Sequence, residues 1–529
     1  MDLDAVIIAD DGANSVSGTS ALRLHVNGKM ATIQNLMSYI HHEPFPENEE
    51  YLSWSSSLKL NGIYLYSYLA RQGFRVELIN GYNEDKDRFK ELLKRGPKAI
   101  IISTTFIMNK DNLYKIAADI RTLAPKAFII AGGAFIYMSY VMLQKEMSQP
   151  GYLVGPGKEY PLFIEVGREP AVDLYIVSLR GEKLLAEVMG DLKNGKSVGL
   201  PPNSARLDGS AYTFGAREDD VSNAASMDVD WSSLPDSFFR NGVVPMQASI
   251  GCPYHCSFCN FTKDERAMKV TPLDRLIHDL KAVEQRGARY VWFSDDNFRL
   301  GKKDLNAVCQ RIIDEKISVR WMSFIRANTL EQTDLSLLKQ AGCVEVQLGL
   351  ESGDRDVLKN MNKRADPDMY SRVVEKLMKH GINCTCYFLF GFPGETDETA
   401  MRTRAFIRKI EYPEYDGVLT WSIFPFVLSP LSPIYDKDMR TKYGLSGHAQ
   451  DWQHETMNFS QAKGHVVQCF FELENSSILY RGDNQDMYLS LSPSSRRAFV
   501  RYRHECSKLA LQQRLDLGKM AEKFRSILS

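Results

Sequence analysis

The first 251 residues of this 529-residue chain contain no cysteine. Nine cysteines follow: Cys252, Cys256, Cys259, Cys309, Cys343, Cys384, Cys386, Cys469 and Cys506. An odd number of cysteines without a secretory signal argues for a reducing compartment and against a disulfide scaffold. We therefore expect a cytoplasmic protein, and we expect the cysteines at 309, 343, 384 and 386 to be core residues.

The chain also lacks a leader-like start and a long apolar run. Its first ten residues, MDLDAVIIAD, carry acidic residues and only a short apolar stretch, unlike a signal or transit peptide. The longest uncharged stretch, residues 127–143, is at the short limit for a membrane span. Its central Gly132-Gly133 pair suits a buried strand, a turn and a helix better. We expect no membrane segment.

Neither sign of charge predominates, since the chain has 65 Lys and Arg residues and 66 Asp and Glu residues, for a net charge of −1. A nucleic-acid surface normally appears as a basic surplus, so a nucleic-acid partner is disfavoured. The hydrophobic fraction of 44% and the charged fraction of 25% are usual for a globular protein. The length predicts two or three domains.

Short apolar strands alternate with amphipathic helices in the N-terminal part. Strand patterns occur at 4–9, 75–79, 98–104, 127–133 and 173–178, and helical patterns at 58–71, 85–95, 111–123 and 181–193. This alternation predicts a doubly wound, Rossmann-like α/β domain with a parallel sheet over residues 1–199. Residues 200–241 are rich in Pro, Gly, Ser and Asp, a composition that predicts a linker.

The alternation of strands and helices begins again after residue 241. Six strands are predicted at 244–250, 290–294, 320–325, 344–349, 384–390 and 417–424. They predict a partial (β/α)6 barrel over residues 242–430, with its chemistry at the C-terminal strand ends. Residues 431–529 are predicted to form a mostly helical cap near the substrate. There, Trp452 and His454 are candidates for substrate contact, although we favour a packing anchor and a surface histidine.

The sequence GCPYHCSFCNF places three thiols, Cys252, Cys256 and Cys259, within eight residues. A structural zinc site normally has four ligands drawn from two separated pairs, and no second pair lies nearby. Inert core cysteines suit this segment poorly, because it also contains a glycine and a proline. An iron–sulfur cluster fits better, since thiolates are its usual ligands and three of them leave one of four irons open.

The C-x3-C-x2-C spacing after the first barrel strand resembles the radical S-adenosylmethionine (SAM) superfamily, and the resemblance covers residues 243–430. In that family the open iron of a [4Fe–4S] cluster chelates the amino and carboxylate groups of SAM. The resemblance implies that Cys252, Cys256 and Cys259 hold the cluster and that Phe258 packs near the adenine.

Two further segments resemble SAM-binding segments of this family. VWFSDDNF offers Asp295 or Asp296 to the SAM amino group, and the alternative is that either aspartate caps the following turn. SFIRAN places Arg326 where the family often has a polar SAM contact.

The next two strand ends agree with the same resemblance. GLESGD resembles the ribose-binding segment, with Glu351 and Ser352 as the implied contacts. FLFGFPGET, residues 388–396, resembles the turn at which a glycine-rich backbone approaches adenine closely.

A doubly wound domain ahead of such a barrel resembles the cobalamin-dependent branch of the superfamily, the class B radical SAM methyltransferases. The residues that carry this resemblance follow the third and fourth strands: Ser103, Thr104, Thr105, Gly132 and Gly133. The resemblance implies that the hydroxyls bond the nucleotide tail of cobalamin and that the glycines make room for it. A generic nucleotide-binding crevice is the alternative.

One feature departs from classical cobalamin domains, because the Asp-x-His-x-x-Gly loop that ligates cobalt is absent. A longer insertion, residues 10–57, takes its place and contains His41 and His42, which we interpret as solvated loop histidines. Cobalamin bound without a histidine ligand is therefore expected.

The resemblance implies a methyltransferase that uses a [4Fe–4S] cluster, SAM and cobalamin. A 5′-deoxyadenosyl radical and methylcobalamin would methylate an unactivated carbon, or a phosphinate phosphorus, of a small-molecule or peptide natural-product intermediate. The expected electron donor is a flavodoxin or a ferredoxin. The alternative is a cobalamin-dependent oxidoreductase or ring-forming enzyme without net methyl transfer. A non-catalytic cobalamin sensor is disfavoured, because it would not need the cysteine triad.

Overall fold

The computed structural model describes residues 3–12, 21–43, 52–154, 162–163, 172–209, 211–218, 228–261, 268–299 and 301–528. The chain divides into two compact units. The first unit is Met1–Ser15 with Leu58–Leu234, and the second is Val16–Ser57 with Pro235–Ser529. Most of the predicted N-terminal insertion therefore belongs to the second unit rather than to the doubly wound domain.

The first unit is built on one seven-stranded sheet. In chain order, the strands up to residue 218 are β1 (Ala5–Ile8), β2 (His25–Val26), β3 (Lys29–Met30), β4 (Val76–Ile79), β5 (Ala99–Ser103), β6 (Phe128–Gly132), β7 (Leu174–Ile176), β8 (Ser204–Asp208) and β9 (Ala211–Phe214). The sheet order is β4-β1-β5-β6-β7-β8-β9, and β2 and β3 form a separate hairpin in the second unit. The first five strands of this order are parallel.

Helices connect the parallel strands. After α1 (Ile33–His41), which belongs to the second unit, they are α2 (Leu60–Arg71), α3 (Lys86–Leu93), α4 (Lys110–Leu123), α5 (Ala134–Ser148) and α6 (Glu182–Lys193). Every residue of β1 and β5 is buried, as expected for apolar strands covered on both faces. The predicted doubly wound fold is confirmed.

The region predicted as a linker contains structure that its composition did not reveal. Within residues 200–241, β8 pairs antiparallel with β7, and β9 pairs antiparallel with β8, so the sheet extends into this region. Gly215 is required there, because a Cβ atom would lie 2.0 Å from the Pro201 carbonyl oxygen. Short strands of mixed polarity are difficult to predict from a Pro- and Gly-rich sequence, because they depend on pairing with neighbouring strands and not on a local pattern.

The second unit contains the predicted partial barrel. Its strands are β10 (Val243–Met246), β11 (Ser249–Ile250), β12 (Lys269–Val270), β13 (Tyr290–Phe293), β14 (Arg320–Phe324), β15 (Cys343–Glu351), β16 (Asn383–Phe390), β17 (Leu419–Pro425), β18 (Ser446–His448), β19 (Asp451–His454), β20 (Met457–Asn458) and β21 (Ser477–Ile478). The parallel sheet runs β10-β13-β14-β15-β16-β17-β21. The six predicted strands are present, and β21 from the cap adds a seventh.

The helices of the second unit follow the same alternation and then form most of the cap. They are α7 (Leu273–Gln285), α8 (Lys302–Asp314), α9 (Ala327–Glu331), α10 (Leu335–Gln340), α11 (Arg355–Asn360), α12 (Pro367–Lys379), α13 (Asp397–Lys409), α14 (Lys437–Lys442), α15 (Phe459–Glu472), α16 (Gln485–Ser490), α17 (Pro493–Leu511) and α18 (Leu517–Leu528). None of the helices in the described ranges has an apolar stretch long enough to span a lipid bilayer.

The outward-facing side chains of the barrel strands form a dry core with these helices. Trp321, Phe388 and Trp421 are fully buried there, and the Phe388 ring lies 6.4 Å from the Phe406 ring of α13. The four cysteines predicted to be core residues, Cys309, Cys343, Cys384 and Cys386, are also fully buried.

The segment before residue 58 is attached to the C-terminal cap by buried polar contacts. The Asp483 carboxylate accepts hydrogen bonds from the Ile33 N–H (2.9 Å) and from Arg503 Nη1 (2.7 Å), and Arg503 also donates to the Ala31 carbonyl. A buried ion pair of this kind leaves an uncompensated charge if one partner is removed. The N-terminal segment and the cap are thus one structural element.

We predict that Gly391→Ala destabilises the protein by about 1–3 kcal/mol. Gly391, directly after β16, has a φ of +89°, and a Cβ atom there would lie 2.4 Å from the Trp452 ring and 2.6 Å from Ala462. The measurement is the midpoint of denaturant unfolding. The matched control is Gly464→Ala within α15, where a Cβ atom meets nothing within 4 Å. That control should stabilise by about 0.5–1 kcal/mol, and equal effects of the two changes would contradict the prediction.

Candidate functional site

The three clustered cysteines lie on one loop that follows β11. Cys256 is buried, and Cys252 and Cys259 are partly buried. The Cys259 N–H donates to the Cys256 carbonyl (3.1 Å), so the last two cysteines belong to a tight turn. Burial raises the pKa of the Cys252 thiol, and the Tyr254 N–H and the Arg326 charge partly oppose that shift. All three cysteines are outside disulfide bonds.

The arrangement of the thiols is relevant to the kind of metal group they could hold. Within the described ranges, no group of three or more His, Cys, Asp or Glu side chains is positioned to hold a metal ion. This geometry does not match a single-ion zinc site. A [4Fe–4S] cluster distributes its thiolate ligands over different irons, so its cysteines need not converge on one point. The three thiols on one loop, with no fourth cysteine beside them, fit that group.

The cysteine loop is held by a chain segment about one hundred residues later, which the sequence did not indicate. The Ser257 N–H donates to the Met361 carbonyl (2.8 Å), and Asn362 Nδ2 donates to the His255 carbonyl (2.7 Å). On its other side, the Ile434 N–H donates to the Ser257 carbonyl (2.9 Å). The loop conformation is therefore fixed by main-chain contacts from the segment after α11 and from the start of the cap.

The structure separates the roles of the two neighbouring aspartates after β13. Asp295 is buried, and its carboxylate accepts hydrogen bonds from the Ala248 N–H (3.1 Å) and the Ser249 hydroxyl (2.5 Å). Burial raises its pKa to about 7. Asp296 is exposed, and its carboxylate accepts from the N–H of Gly251, the residue before Cys252 (2.9 Å). Asp295 thus supports the strand end, whereas Asp296 lies exposed beside the cysteine loop.

Arg326 lies against the cysteine loop. Its Nη1 is 3.9 Å from the Cys256 sulfur, its Nη2 donates to the Lys363 carbonyl (2.6 Å), and its guanidinium lies 3.7 Å from the centre of the Tyr254 ring. Stacking and hydrogen bonding hold this cation next to a thiol that a cluster would need as thiolate. The structure shows a contact with a cysteine, whereas a direct contact of Arg326 with SAM stays a prediction.

Glu351 and Ser352 have different surroundings although they are adjacent. Glu351 has a φ of +68° and forms a buried ion pair with Lys363 (2.8 Å). The Lys363 ammonium also lies 5.6 Å from the centre of the Phe258 ring. The Ser352 hydroxyl is fully buried, is 3.0 Å from the Thr403 hydroxyl and accepts from the Asp354 N–H. Lys363 therefore connects Glu351 to Phe258 of the cysteine loop, whereas Ser352 stabilises the adjacent turn.

The glycine-rich turn after β16 is supported by the cap. The Gly391 N–H donates to Glu395, which is fully buried and has its other carboxylate oxygen unpaired. Trp452 packs on this turn and stacks with His454 at 5.3 Å, and His454 Nε2 is 3.3 Å from the Gly391 carbonyl. The expectation of a surface histidine is wrong, because His454 is buried, and burial lowers its pKa to about 4.

In the first unit, the residues predicted to contact cobalamin lie together at one sheet edge. Ser103 accepts a hydrogen bond from Asn61 Nδ2 (2.8 Å), and the Thr104 hydroxyl donates to the Gly132 carbonyl (2.8 Å). Thr105 is exposed. Gly133 has a φ of +109°, and a Cβ atom there would lie 3.1 Å from the Thr104 nitrogen. The exposed Thr105 is accessible to a ligand, whereas Ser103 and Thr104 have protein partners and Gly133 lets the turn pack closely against the Thr104 and Thr105 backbone.

The two histidines of the predicted insertion lie elsewhere. His41 and His42 are exposed at the end of α1, which belongs to the second unit. Their exposure agrees with the interpretation of solvated histidines, but His41 is the last residue of a helix and does not lie in a loop.

Comparison with known proteins gives a match on the barrel. The family model of the Radical SAM superfamily matches residues 246–407. An uncharacterized methyltransferase of Pyrococcus horikoshii is 24% identical over 363 residues, which are 66% of this chain and 73% of that protein.

Two relatives with named reactions match shorter regions. A bacteriochlorophyllide d C-12(1)-methyltransferase of Chlorobaculum tepidum is 32% identical over 33% of this chain and 39% of that protein. An anaerobic magnesium-protoporphyrin IX monomethyl ester cyclase of Rubrivivax gelatinosus is 26% identical over 29% of this chain and 28% of that protein. The chain thus spans less than half the length of either relative.

The fold of the whole chain also has a solved counterpart. The radical SAM methyltransferase TsrM of Kitasatospora setae, solved with cobalamin and a [4Fe–4S] cluster, matches with a TM-score of 0.60 and 14% identity. The match covers 97% of this chain and 99% of that one. At this identity the match is one of fold.

A parallel partial barrel with a three-cysteine loop after its first strand defines a radical SAM domain. Residues 246–407 of the second unit accordingly form a radical SAM domain. In fold, the chain is similar to TsrM, a radical SAM methyltransferase solved with bound cobalamin.

We predict that the two aspartates differ when each is changed to alanine. Asp295→Ala leaves the buried Ala248 N–H and Ser249 hydroxyl without their acceptor, at a cost of about 1–3 kcal/mol for each group, so the unfolding midpoint should fall. Asp296→Ala should change the free energy of unfolding by no more than about 0.5 kcal/mol. It should, however, weaken SAM binding to the reconstituted protein in anaerobic calorimetry. Equal stability losses in both variants would contradict this assignment.

A second prediction concerns pH. Burial raises the pKa of Glu395 from 4.5 to about 8 in the folded protein. Between these two pH values, Glu395 is ionised in the unfolded chain but still protonated in the folded protein. The free energy of unfolding therefore falls as the pH rises from about 4.5 to about 8. Glu395→Gln keeps an acceptor for the Gly391 N–H and cannot ionise. Its stability relative to the wild type should rise by a few kcal/mol across this window. Denaturant unfolding at pH 5 and pH 8.5 measures this, and a constant difference would disprove it.

Proposed function

We propose that this chain is a cobalamin-dependent radical SAM methyltransferase. It would act on an unactivated carbon, or on a phosphinate phosphorus, of a small-molecule or peptide natural-product intermediate. The observation that carries the proposal is the cysteine loop, bordered by Asp296 and Arg326, in a chain whose other unit has a glycine-lined sheet edge at Gly133.

The side chains of the second unit would position the cluster and SAM. Cys252, Cys256 and Cys259 would hold the cluster, with Arg326 balancing the negative charge at Cys256. Asp296 is next to the loop and would accept hydrogen bonds from the SAM amino group, and Phe258 would pack against the adenine. When bound, the cluster and SAM supply a carbon-centred radical that removes a hydrogen atom, and cobalamin supplies the methyl group.

In the first unit, cobalamin would lie at the carboxyl ends of β5 and β6. Ligands of open α/β sheets bind at this edge. The absence of a Cβ at Gly133 lets the turn after β6 pack closely against the Thr104 and Thr105 backbone, which shapes the edge that the ring or its tail would meet. The exposed Thr105 hydroxyl is available to bond the nucleotide tail. Ser103 and Thr104 would contribute by holding this edge in shape.

The relatives support methyl transfer, since two of the proteins compared are named methyltransferases and the TsrM structure contains cobalamin and a [4Fe–4S] cluster. The cyclase relative favours a second candidate, an oxidoreductase or ring-forming enzyme without net methyl transfer. Both candidates need an electron donor, for which we propose a flavodoxin or a ferredoxin in a reducing cytoplasm.

The test uses the full chain reconstituted anaerobically with iron, sulfide and cobalamin, and SAM carrying an isotopic label in its methyl group. We expect a [4Fe–4S] absorption spectrum, bound corrinoid and reductive cleavage of SAM, with the label appearing in a product when substrate is present. Cys256→Ala should abolish the cleavage, because a cluster ligand is lost. Cys309→Ala, which alters a buried core thiol of α8, should retain it.

Three results would count against the proposal. Cluster formation without corrinoid binding would mean that the first unit has another role. A labelled SAM pool with no label in any product would favour the ring-forming candidate. Unchanged SAM cleavage in Cys256→Ala would exclude the cysteine loop as the cluster site.

A further inference from the structure

The inward-facing side of the barrel sheet differs sharply from its buried outer side. Successive residues of a strand point to opposite faces. Along β16, Cys386 and Phe388 are fully buried on the outer face, while Tyr387 between them is partly exposed. Trp292, Phe324 and Phe424 on other strands are partly exposed in the same way. These side chains line the inside of the partial barrel rather than a dry core.

Ring contacts show that these aromatic residues face one common space. The Phe324 ring of β14 lies 5.2 Å from the Tyr387 ring of β16, across β15. Gly349 of β15 pairs with Tyr387 and has no side chain to separate them. The Tyr387 and Phe424 rings are 6.5 Å apart and nearly parallel, at 17°. The concave face therefore offers aromatic surfaces suited to a planar group.

A cation projects into this space from the cap. Arg481, shortly after β21, donates from Nη2 to the Tyr387 hydroxyl (2.7 Å) and lies 5.5 Å from the centre of the Trp292 ring. In the described ranges no carboxylate forms an ion pair with Arg481. Its tyrosine bond and the aromatic ring orient the guanidinium but do not neutralise it. Glu345 interacts with Arg481 electrostatically, but without a direct contact. A partly exposed, oriented arginine without a carboxylate in direct contact is suited to bidentate binding of an anion.

Other polar groups at the same face agree with a site built for a ligand. The indole N–H of Trp292 is buried and has no hydrogen-bond partner among the described residues. Glu345 accepts a hydrogen bond from the Thr385 hydroxyl (2.8 Å) and does not pair with Arg481. Gln347 bridges Tyr387 and the Met322 sulfur. An interior kept only for packing would leave neither an indole N–H without a partner nor a guanidinium without a carboxylate in direct contact.

We propose that this concave face binds the substrate and that the substrate is a planar, aromatic carboxylate. Its carboxylate would bind Arg481, and its ring would lie against Trp292, Phe324 and Phe424. One guanidinium matches the single charge of a carboxylate better than a doubly charged phosphate. This assignment rests on the proposed function and adds to it the chemical class of the substrate.

The same geometry orients the substrate relative to the cysteine loop. Phe324 ends β14 and is followed two residues later by Arg326, whose guanidinium contacts Cys256. Arg481 bonds Tyr387, which lies three residues before the end of β16. The carboxylate would therefore lie inside the barrel, and the far end of the ring would point to the strand ends where SAM is proposed to bind.

The test is equilibrium binding to the full chain without added cofactors, so it does not depend on the methyltransferase proposal. The probes are 2-naphthoate, the uncharged 2-naphthamide and the non-planar cyclohexanecarboxylate, measured by calorimetry and ligand-observed NMR. We expect 2-naphthoate to bind at least tenfold more tightly than either of the other two. Arg481→Gln should weaken 2-naphthoate binding at least tenfold and leave 2-naphthamide unchanged.

Two further variants keep the result interpretable. Arg501→Gln removes an exposed arginine of α17 and should change nothing. Arg481→Lys retains the charge but loses the planar, forked guanidinium, so we expect an intermediate loss of 2-naphthoate affinity. This variant replaces Arg481→Gln in the test if that one fails to fold. Equal binding of 2-naphthoate and 2-naphthamide, no binding of 2-naphthoate, or full 2-naphthoate affinity in both Arg481 variants would overturn the proposal.

Discussion

The cysteine loop has little regular structure of its own, and it depends on the segment that follows α11. The hydrogen bonds from Ser257 to Met361 and from Asn362 to His255 fix the loop where it carries its second and third thiols. The same segment accepts a hydrogen bond from Arg326 at the Lys363 carbonyl, and the Lys363 side chain pairs with Glu351. The ends of β14 and β15 are therefore connected to the thiols through one short stretch of backbone. A displacement of that stretch would move the thiols, the arginine and the carboxylate together.

Burial gives neighbouring residues of similar type different roles at this site. Asp295 and Asp296 are adjacent, yet one carboxylate is enclosed by its own strand end and the other is open beside the loop. Glu351 and Ser352 also differ, since Lys363 connects the former to the cysteine loop, whereas the latter stabilises the adjacent turn. Isolating a carboxyl group from water raises the cost of its charge, which suits a structural acceptor and not a group that must bind a cationic ligand. The more exposed member of the aspartate pair is accordingly the better candidate for contact with SAM.

The barrel sheet has two faces with opposite characters. Its outer face is a closely packed apolar core that gains stability from burial, and its inner face keeps aromatic rings, an arginine and a glutamate partly accessible. Such an interior costs stability, because polar groups there lack full solvation or full pairing. That cost is understandable if a ligand completes the interactions of Arg481 and Trp292. The cap contributes directly to this interior, since Arg481 reaches it from the loop after β21.

The sequence alone determined the two α/β units, the partial barrel, the cysteine triad and the strand ends at which ligand-binding residues lie. These features follow from local patterns, because apolar periodicity and ligand spacing are set by residues close together in the chain. Other features depended on contacts between residues from about 60 to more than 400 positions apart: the grouping of residues 16–57 with the second unit, the seventh barrel strand, and the support of the cysteine loop by residues 360–363. Only the tertiary structure showed that Asp295 and His454 are buried while Asp296 is exposed. The residues next to them in the sequence do not indicate this difference. The sequence specifies which groups are available, and the tertiary structure decides which of them keep access to solvent and to a ligand.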